Sequence, residues 1–528
     1  MPTLVRRVIP SPLSAVALGI AALIALPLLY VGHSALSVKT AVWERLWTTR
    51  IPELLFNTLS LAIGVGLFTF LLGVSIAWLV TRYQFWGCGF WKWAFILPLA
   101  IPSYVLAYVY TFLLDTGGPV EQVWQSMAGP DSRIFSPYSF SGALVVLTLN
   151  TFPFVYLLAR AALQHLNVSF EEAARATGTS QWRIIFHVSL PLLRPALAAG
   201  LFLVILYVVS DFGAVSLLRF QTFTYAVYQQ ITGRFDYSAA SALSLLLVVF
   251  ALIFLIGERW FRRRSRFYQT TGRVRRSVPV PCRFAQTTAI TLYFSLIFCG
   301  AFALPTFLLA HWTIAAWGNG QISAAFFEYA WNSILLSGSA ATLALVIGTP
   351  LAYLAWRRPT MLNLFCIQGA YTGYVLPGPV AALALLIIFS QTIPFLYGTI
   401  LVLIIAYLIH FLPAGLQPIE STFQQITPNF EEAAKSLGVS GLQSFWRITL
   451  PLVRGGFLVA WILMFIQSMK ELPATLLLRP VGFDTLAVRI WLEASEELYQ
   501  LAAPPALLII IMTVPVVFLL SWKNWQVT

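Results

Sequence analysis

Residues 169–192, SFEEAARATGTSQWRIIFHVSLPL, recur as residues 429–452, NFEEAAKSLGVSGLQSFWRITLPL, at an offset of 260. Between 170–194 and 430–454, eleven of 25 aligned positions are identical. The two stretches stand out as polar in a chain of 528 residues that is 59% hydrophobic and only 10% charged. Soluble domains carry about 25% charged residues, and a water-filled surround has no room for this much apolar surface. The solvent of most of this chain is therefore lipid. A polar segment used once in each half points to one contact made twice.

Outward from these segments the chain divides into apolar runs long enough to cross a bilayer, which takes about 20 residues. Twelve are read: near 13–32, 57–80, 92–114, 141–163, 196–217, 239–257, 285–310, 333–356, 369–390, 396–414, 455–476 and 501–521. Pro377, Pro379 and Pro394 make 364–416 the hardest stretch to divide. Alternating ten-residue strands are absent, so the expected fold is an all-α membrane protein. Arg6 and Arg7 precede the first run as in a signal peptide, but that run is long enough to span and no clear small-x-small cleavage site follows it, so a retained first helix is expected.

Lysine and arginine set the expected orientation. With the N-terminus in the cytoplasm, the cytoplasmic segments hold 23 of the 32 basic residues and six of the 19 acids. This asymmetry accounts for the net charge of +13 without a nucleic-acid partner. Nine arginines between 259 and 283 suit anionic lipid headgroups better than RNA. The same basic segment divides the chain into a first repeat (1–257), a linker (258–284) and a second repeat (285–528). Six spans per half make the two repeats parallel, with both termini in the cytoplasm. Asn57-Thr58 through Gly73 and Ala77 match Asn332-Ser333 through Gly348 and Ala352 at an offset of 275, and Leu97-Pro98 is read against Leu376-Pro377. Cys88, Cys282, Cys299 and Cys366 lie in or beside apolar runs and show neither disulfide nor metal-site spacing.

Within each polar segment, Ser169 with Glu172 and Asn429 with Glu432 have the spacing of a capping box. Two turns of helix follow, and Gly178 or Gly438 stands where a C′ glycine ends a helix. The alanine pairs leave a small face that another protein can approach closely. Leu190-Pro191 and Leu450-Pro451 are expected to start the next span, because proline suits a first turn.

Glu-Ala-Ala, three residues, Gly, nine residues, an aliphatic residue, one residue and Leu-Pro resembles the "EAA" loop of ABC importer permeases; Val188 and Ile448 hold the aliphatic position. The resemblance covers essentially the whole chain, as two fused permeases of the type I importer kind. It implies that Glu172, Ala173, Ala174 and Gly178, flanked by Glu171, and Glu432, Ala433, Ala434 and Gly438, flanked by Glu431, form two docking sites for two copies of a cytoplasmic ATP-binding subunit. No Gly-Lys dipeptide occurs, so the chain lacks a phosphate-binding loop of that type. ATP is expected on the partner, with no cofactor and no catalytic residue in this chain. A periplasmic or lipid-anchored binding protein is the implied outer partner, and a bacterial inner membrane the implied location.

The offset of 260 continues to Asp211 and Glu471, each followed by an arginine eight residues later, Arg219 and Arg479. Ionisable groups in such places line a path or hold a partner. Either the two acids draw a cation toward the path, or each pairs locally and positions an outer gate. One Asp and one Glu make no metal cage, so whether the chain has a metal site of its own stays open. Ser210-Asp211-Phe212-Gly213-Ala214, Lys470 to Thr475 and Gly482 to Ala487 resemble fused permeases of ferric iron importers. The implied cargo is Fe³⁺, moved by alternating access; fused permeases for thiamine and for phosphonates share the architecture. An ion-coupled secondary transporter would need coupling-ion groups at mid-membrane, and a membrane enzyme would need a reactive cluster of His, Asp or Cys.

Overall fold

In lipid every backbone N–H and C=O must find its partner within the chain, and a helix does this segment by segment. The computed structural model describes residues 12–129, 132, 135–264, 279–427 and 429–523. Among these residues helices dominate, and the one strand pair is two residues long, Tyr83–Gln84 parallel to Val280–Pro281. Among the described residues, ten helices are long and apolar enough to cross a membrane. Two further candidates are bent pairs: Cys88–Ala100 meets Ser103–Ala128 at 92°, and Met361–Gly373 meets Gly378–Thr392 at 105°. The twelve apolar runs are thus ten spanning helices and two broken ones.

The breaks have a common cause. Pro102 and Pro377 are the cap residues that open Ser103–Leu114 and Gly378–Thr392, with φ/ψ of −59°/147° and −60°/146°. The residue before a proline is pushed out of the helical region, and Ile101 and Leu376 are extended, with ψ of 122° and 109°. This corrects the pairing of Leu97-Pro98 with Leu376-Pro377. The structural equivalent of Pro377 is Pro102, at the same offset of 275 that relates Asn57 to Asn332.

Leu-Pro does something other than start a span. Gln181–Ile184 and Gly441–Ser444 are already helical, and each runs through a π-turn, Ile185–Ser189 or Phe445–Thr449, into Leu190–Ser210 or Leu450–Met469. In both, the leucine N–H bonds to the carbonyl five residues back: Leu190 to Ile185 and Leu450 to Phe445. A proline inside a helix clashes with the carbonyl four residues earlier and offers it no N–H. The wider turn relieves the clash without ending the helix. The third π-turn among the described residues, Cys299–Ala303, is also followed by Leu304-Pro305.

The chain packs as two compact units that do not follow the order of the sequence. One gathers the described residues up to Glu44 with Val227–Val248 and Ser323–Arg489; the other gathers Arg45–Ala226, Val249–Ile322 and the residues from Ile490 on. In the first unit the Pro12–Leu36 helix packs on Met361–Ala370 and Gly378–Thr392. Its buried stripe, Ser14, Ala17, Ala21, Ile24, Pro27, Val31 and Ala35, is mostly small and recurs every three or four residues. Small residues let helices approach closely in lipid, where no hydrophobic force drives them together. In the second unit Leu304–Gly318 packs on Tyr499–Lys523. The repeats of the sequence and the packing units are therefore different divisions of one chain.

Candidate functional site: two buried-glutamate junctions and two acid clamps

The repeated polar segments form the helices Ser169–Ala176 and Asn429–Ser436. The first does not begin with the expected capping box. Ser169 lies inside the helix, the cap residue is Val168, and the Val168 carbonyl takes the N–H groups of Glu171 and Glu172 at 3.0 Å. Asn167 Oδ1 accepts the Ser169 N–H at 3.2 Å instead. The helix ends do follow the expectation. Gly178 and Gly438 have φ of +77° and +81°. Thr179 N–H bonds to Ala174 O at 3.2 Å and Val439 N–H to Ala434 O at 3.0 Å, closing the same glycine cap in both copies. Open space surrounds both glycines, so the left-handed backbone, not crowding, selects the residue.

Adjacent glutamates in each copy point opposite ways. Glu171 and Glu431 are each 2% exposed, whereas Glu172 and Glu432 are exposed. Ala173 and Ala433 share the exposed side with Phe170 and Phe430, which are 55% and 53% exposed. Ala174 is half-buried and Ala434 buried. Glu171 Oε1 lies 2.5 Å from Arg82 Nη2 and accepts the Ser189 hydroxyl at 2.7 Å. Glu431 takes the same kinds of partner: Arg357 Nε at 3.2 Å and the Thr449 hydroxyl at 2.8 Å. It also takes the Tyr353 hydroxyl, 3.0 Å from Oε2. Arg357 is forked, since its Nη1 lies 3.2 Å from Glu432 Oε1. A charge removed from water is held only where partners satisfy it, and here the partners are duplicated. Arg82 and Arg357 stand 275 apart and close the helices Ile51–Arg82 and Ala325–Arg357; Ser189 and Thr449 stand 260 apart and close the π-turns. Neither arginine was singled out from the sequence, although their offset is that of Asn57 and Asn332.

At the opposite ends of Leu190–Ser210 and Leu450–Met469 stand Asp211 and Glu471, 8% and 7% exposed. Asp211 Oδ1 accepts the N–H groups of Ala214 at 3.0 Å and Val215 at 3.3 Å, so it caps the short helix Gly213–Leu217. Its Oδ2 accepts the Ser103 hydroxyl at 2.5 Å, from the first turn of Ser103–Leu114. Glu471 Oε1 accepts the N–H of Ala474 at 3.1 Å and caps Pro473–Leu478. The position of Ser103 is held by Gly378 in the second half, and a Cβ there would lie 3.1 Å from Glu471 Oε1. Asp211 thus joins a short helix to the second limb of a broken span, and Glu471 caps its short helix against the start of the other. The arginines eight residues on turn elsewhere: Arg479 pairs with Asp484, and Arg219 lies over the Tyr138 ring at 5.3 Å.

The Asn-Thr and Asn-Ser pairs hold the next loop of each half. Asn57 Nδ2 donates to Gln221 O at 3.0 Å, and Thr58 Oγ1 accepts the Phe223 N–H at 3.3 Å. Asn332 Nδ2 donates to Asp484 O at 3.1 Å, and Ser333 Oγ accepts the Leu486 N–H at 2.8 Å. The offset has grown from 260 at Arg219 and Arg479 to 263 at these loops, so three residues are inserted after Arg479, and Asp484 stands where Gln221 does in the first half.

Duplicated bundles of spanning helices, each carrying an exposed polar helix on a buried glutamate, define a membrane transport subunit built from two fused halves. The model of the family described as binding-protein-dependent transport system inner membrane component matches residues 69–267 and 344–524, once in each half. The chain belongs to this family; it is a multi-pass membrane protein and an ABC importer permease. It is 32% identical to the Fe(3+)-transport system permease protein FbpB 2 of Haemophilus influenzae, over 94% of this chain and 95% of the relative. It is 24% identical to the ferric transport system permease protein FbpB of Actinobacillus pleuropneumoniae, over 89% of this chain and 71% of the relative. The sulfate transport system permease protein CysT of Escherichia coli matches at 28% over 49% of this chain but 95% of its own length, as a single half is expected to do.

Proposed function

We propose that this chain is the permease of an ATP-driven importer of ferric ion in a bacterial inner membrane. Its N- and C-termini and both Glu-Glu helices lie in the cytoplasm, a reading that the lysine and arginine distribution supports. Relatives that match nearly the whole chain are named for Fe(3+) transport, and this supports the cargo. Two copies of a separate ATP-binding subunit dock on the exposed faces of Ser169–Ala176 and Asn429–Ser436, with Glu172, Ala173, Ala174 and Gly178 in one site and Glu432, Ala433, Ala434 and Gly438 in the other. A binding protein delivers the ion at the outer side. ATP is bound by the partner, and this chain contributes no cofactor and no catalytic group.

The observation that carries the docking reading is the paired exposure of phenylalanine, glutamate and alanine on both helices. Large apolar side chains left in contact with water beside small residues and a charge are the marks of an interaction surface. The test is the double charge reversal Glu172→Arg/Glu432→Arg in the assembled transporter. The permease is expected to reach the membrane in normal amount, lose its ATP-binding subunit on purification and stop taking up radiolabelled iron. Uptake at the wild-type rate overturns the docking assignment. Uptake of thiamine or a phosphonate in place of iron leaves the machine standing and replaces the cargo.

Asp211 and Glu471 are proposed as positioning groups of the outer gate. Both carboxylate oxygens of Asp211 are engaged, by local N–H groups and by a serine, and Oε1 of Glu471 by a local N–H. This favours gate support over direct contact with the ion.

A further inference from the structure

We propose that Glu171 with Arg82 and Ser189, and Glu431 with Arg357 and Thr449, are mechanical latches that tie each ATPase-docking helix to the end of a spanning helix. The inference rests on the reading that these helices dock an ATPase, and it adds how a push on them reaches the membrane. Each buried carboxylate touches three elements at once: its own polar helix, the last turn of Ile51–Arg82 or Ala325–Arg357, and the π-turn that opens the following span. A polar helix of eight residues is too short to be stable by itself. Without the carboxylate it could tilt under load while the spans stayed still. With it, displacement of the exposed face is passed on through bonds of 2.5 to 3.2 Å.

The duplication carries the argument beyond an ordinary ion pair. Positions 176 and 177 differ from 436 and 437, and 181–187 differ from 441–447 at every position, yet acid, arginine and hydroxyl are all kept. Serine at 189 and threonine at 449 share only the hydroxyl that the carboxylate needs. The second latch is the more elaborate. Tyr353 adds a donor, and Arg357 spans the buried Glu431 and the exposed Glu432, joining the latch directly to the docking face. Glu171 and Glu431 are thus positioning residues for coupling, distinct from the exposed glutamates one residue on.

The experiment uses the whole transporter, permease with its ATPase and its iron-loaded binding protein, in proteoliposomes. Glu171→Gln/Glu431→Gln keeps shape and removes charge. The latch predicts that the ATPase still co-purifies, while iron moved per ATP hydrolysed falls roughly tenfold, the size of a typical coupling between sites. The charge swap Arg357→Glu/Glu431→Arg, made in the Glu171→Gln background, is expected to recover part of that ratio. An unchanged ratio in the glutamine variant overturns the latch. Loss of the ATPase from that variant also overturns it, because the pair would then only hold the docking face in shape. Failure of the docking reading looks different: the ATPase stays bound, and the ratio stays normal, when Glu172 and Glu432 are reversed.

Discussion

Asp211 and Glu471 cap equivalent short helices with side chains that differ by one methylene, and the difference is made up on the facing helix. The shorter acid meets Ser103, whose hydroxyl reaches across to it. The longer acid meets Gly378, which has no side chain and leaves room for the extra carbon. The halves have preserved a distance, not a residue. The latches show the same economy, with serine against threonine at one corner and Trp78 against Tyr353 at another: Trp78 lies under the Arg82 guanidinium at 5.2 Å, whereas Tyr353 bonds to the carboxylate. A duplicated machine can therefore be compared with itself, and each half serves as the control for the other.

The comparison breaks most visibly at the latches. Arg82→Ala leaves Glu171 buried with Ser189, whereas Arg357→Ala leaves Glu431 with Tyr353 and Thr449. Removing one member of a buried ion pair costs about 3–5 kcal/mol. Arg82→Ala is expected at the upper end of that range and Arg357→Ala at the lower, read by thermal unfolding of the purified permease in detergent. Equal losses would mean that the extra tyrosine contributes nothing. Next comes Ser103→Ala, which deletes a hydrogen bond to a charged group and should cost about 1.5–3 kcal/mol by the same assay. Gly378→Ala in the other half is not its neutral counterpart: the added carbon meets the Pro473 ring and Glu471, and overpacking of this kind costs about 1–3 kcal/mol. Adding Glu471→Asp to Gly378→Ser rebuilds the first-half pair in the second half. It should recover a measurable part of the stability lost in Gly378→Ser alone, and no recovery would show that the acids are not interchangeable clamps. The smallest effect is expected at the loop holders. Asn57→Ala and Asn332→Ala each lose one side-chain bond to a carbonyl, about 1 kcal/mol, and should lower the unfolding temperature equally.

Much of this was legible in the chain itself. The repeated string at 169–192 and 429–452 located two polar helices, and Gly178 and Gly438 marked their ends to the residue. Those signals are local, because a left-handed cap needs glycine whatever surrounds it. Local signals also misled. Ser169 has the spacing of a capping residue, but Asn167 and Val168 open the helix one residue earlier. Leu-Pro reads as a start, but a π-turn lets the helix pass through the proline. Leu97-Pro98 looks like Leu376-Pro377 by composition, but the backbone and the offset of 275 pair Pro377 with Pro102.

Composition and the spacing of polar residues determined that this chain lives in lipid, that it is built twice, and that each half carries one short polar helix. They did so because solvation and helix capping act over a few residues at a time. Tertiary structure alone decided which glutamate of each pair turns inward, since Arg82 is 89 residues from Glu171 and Tyr353 is 78 from Glu431. It alone decided that Pro12–Leu36 packs in the unit of the second half, and that a serine in one half and a glycine in the other answer an acid more than 90 residues away. These are choices of partner among distant groups, and burial of a charge enforces them only after the helices have come together.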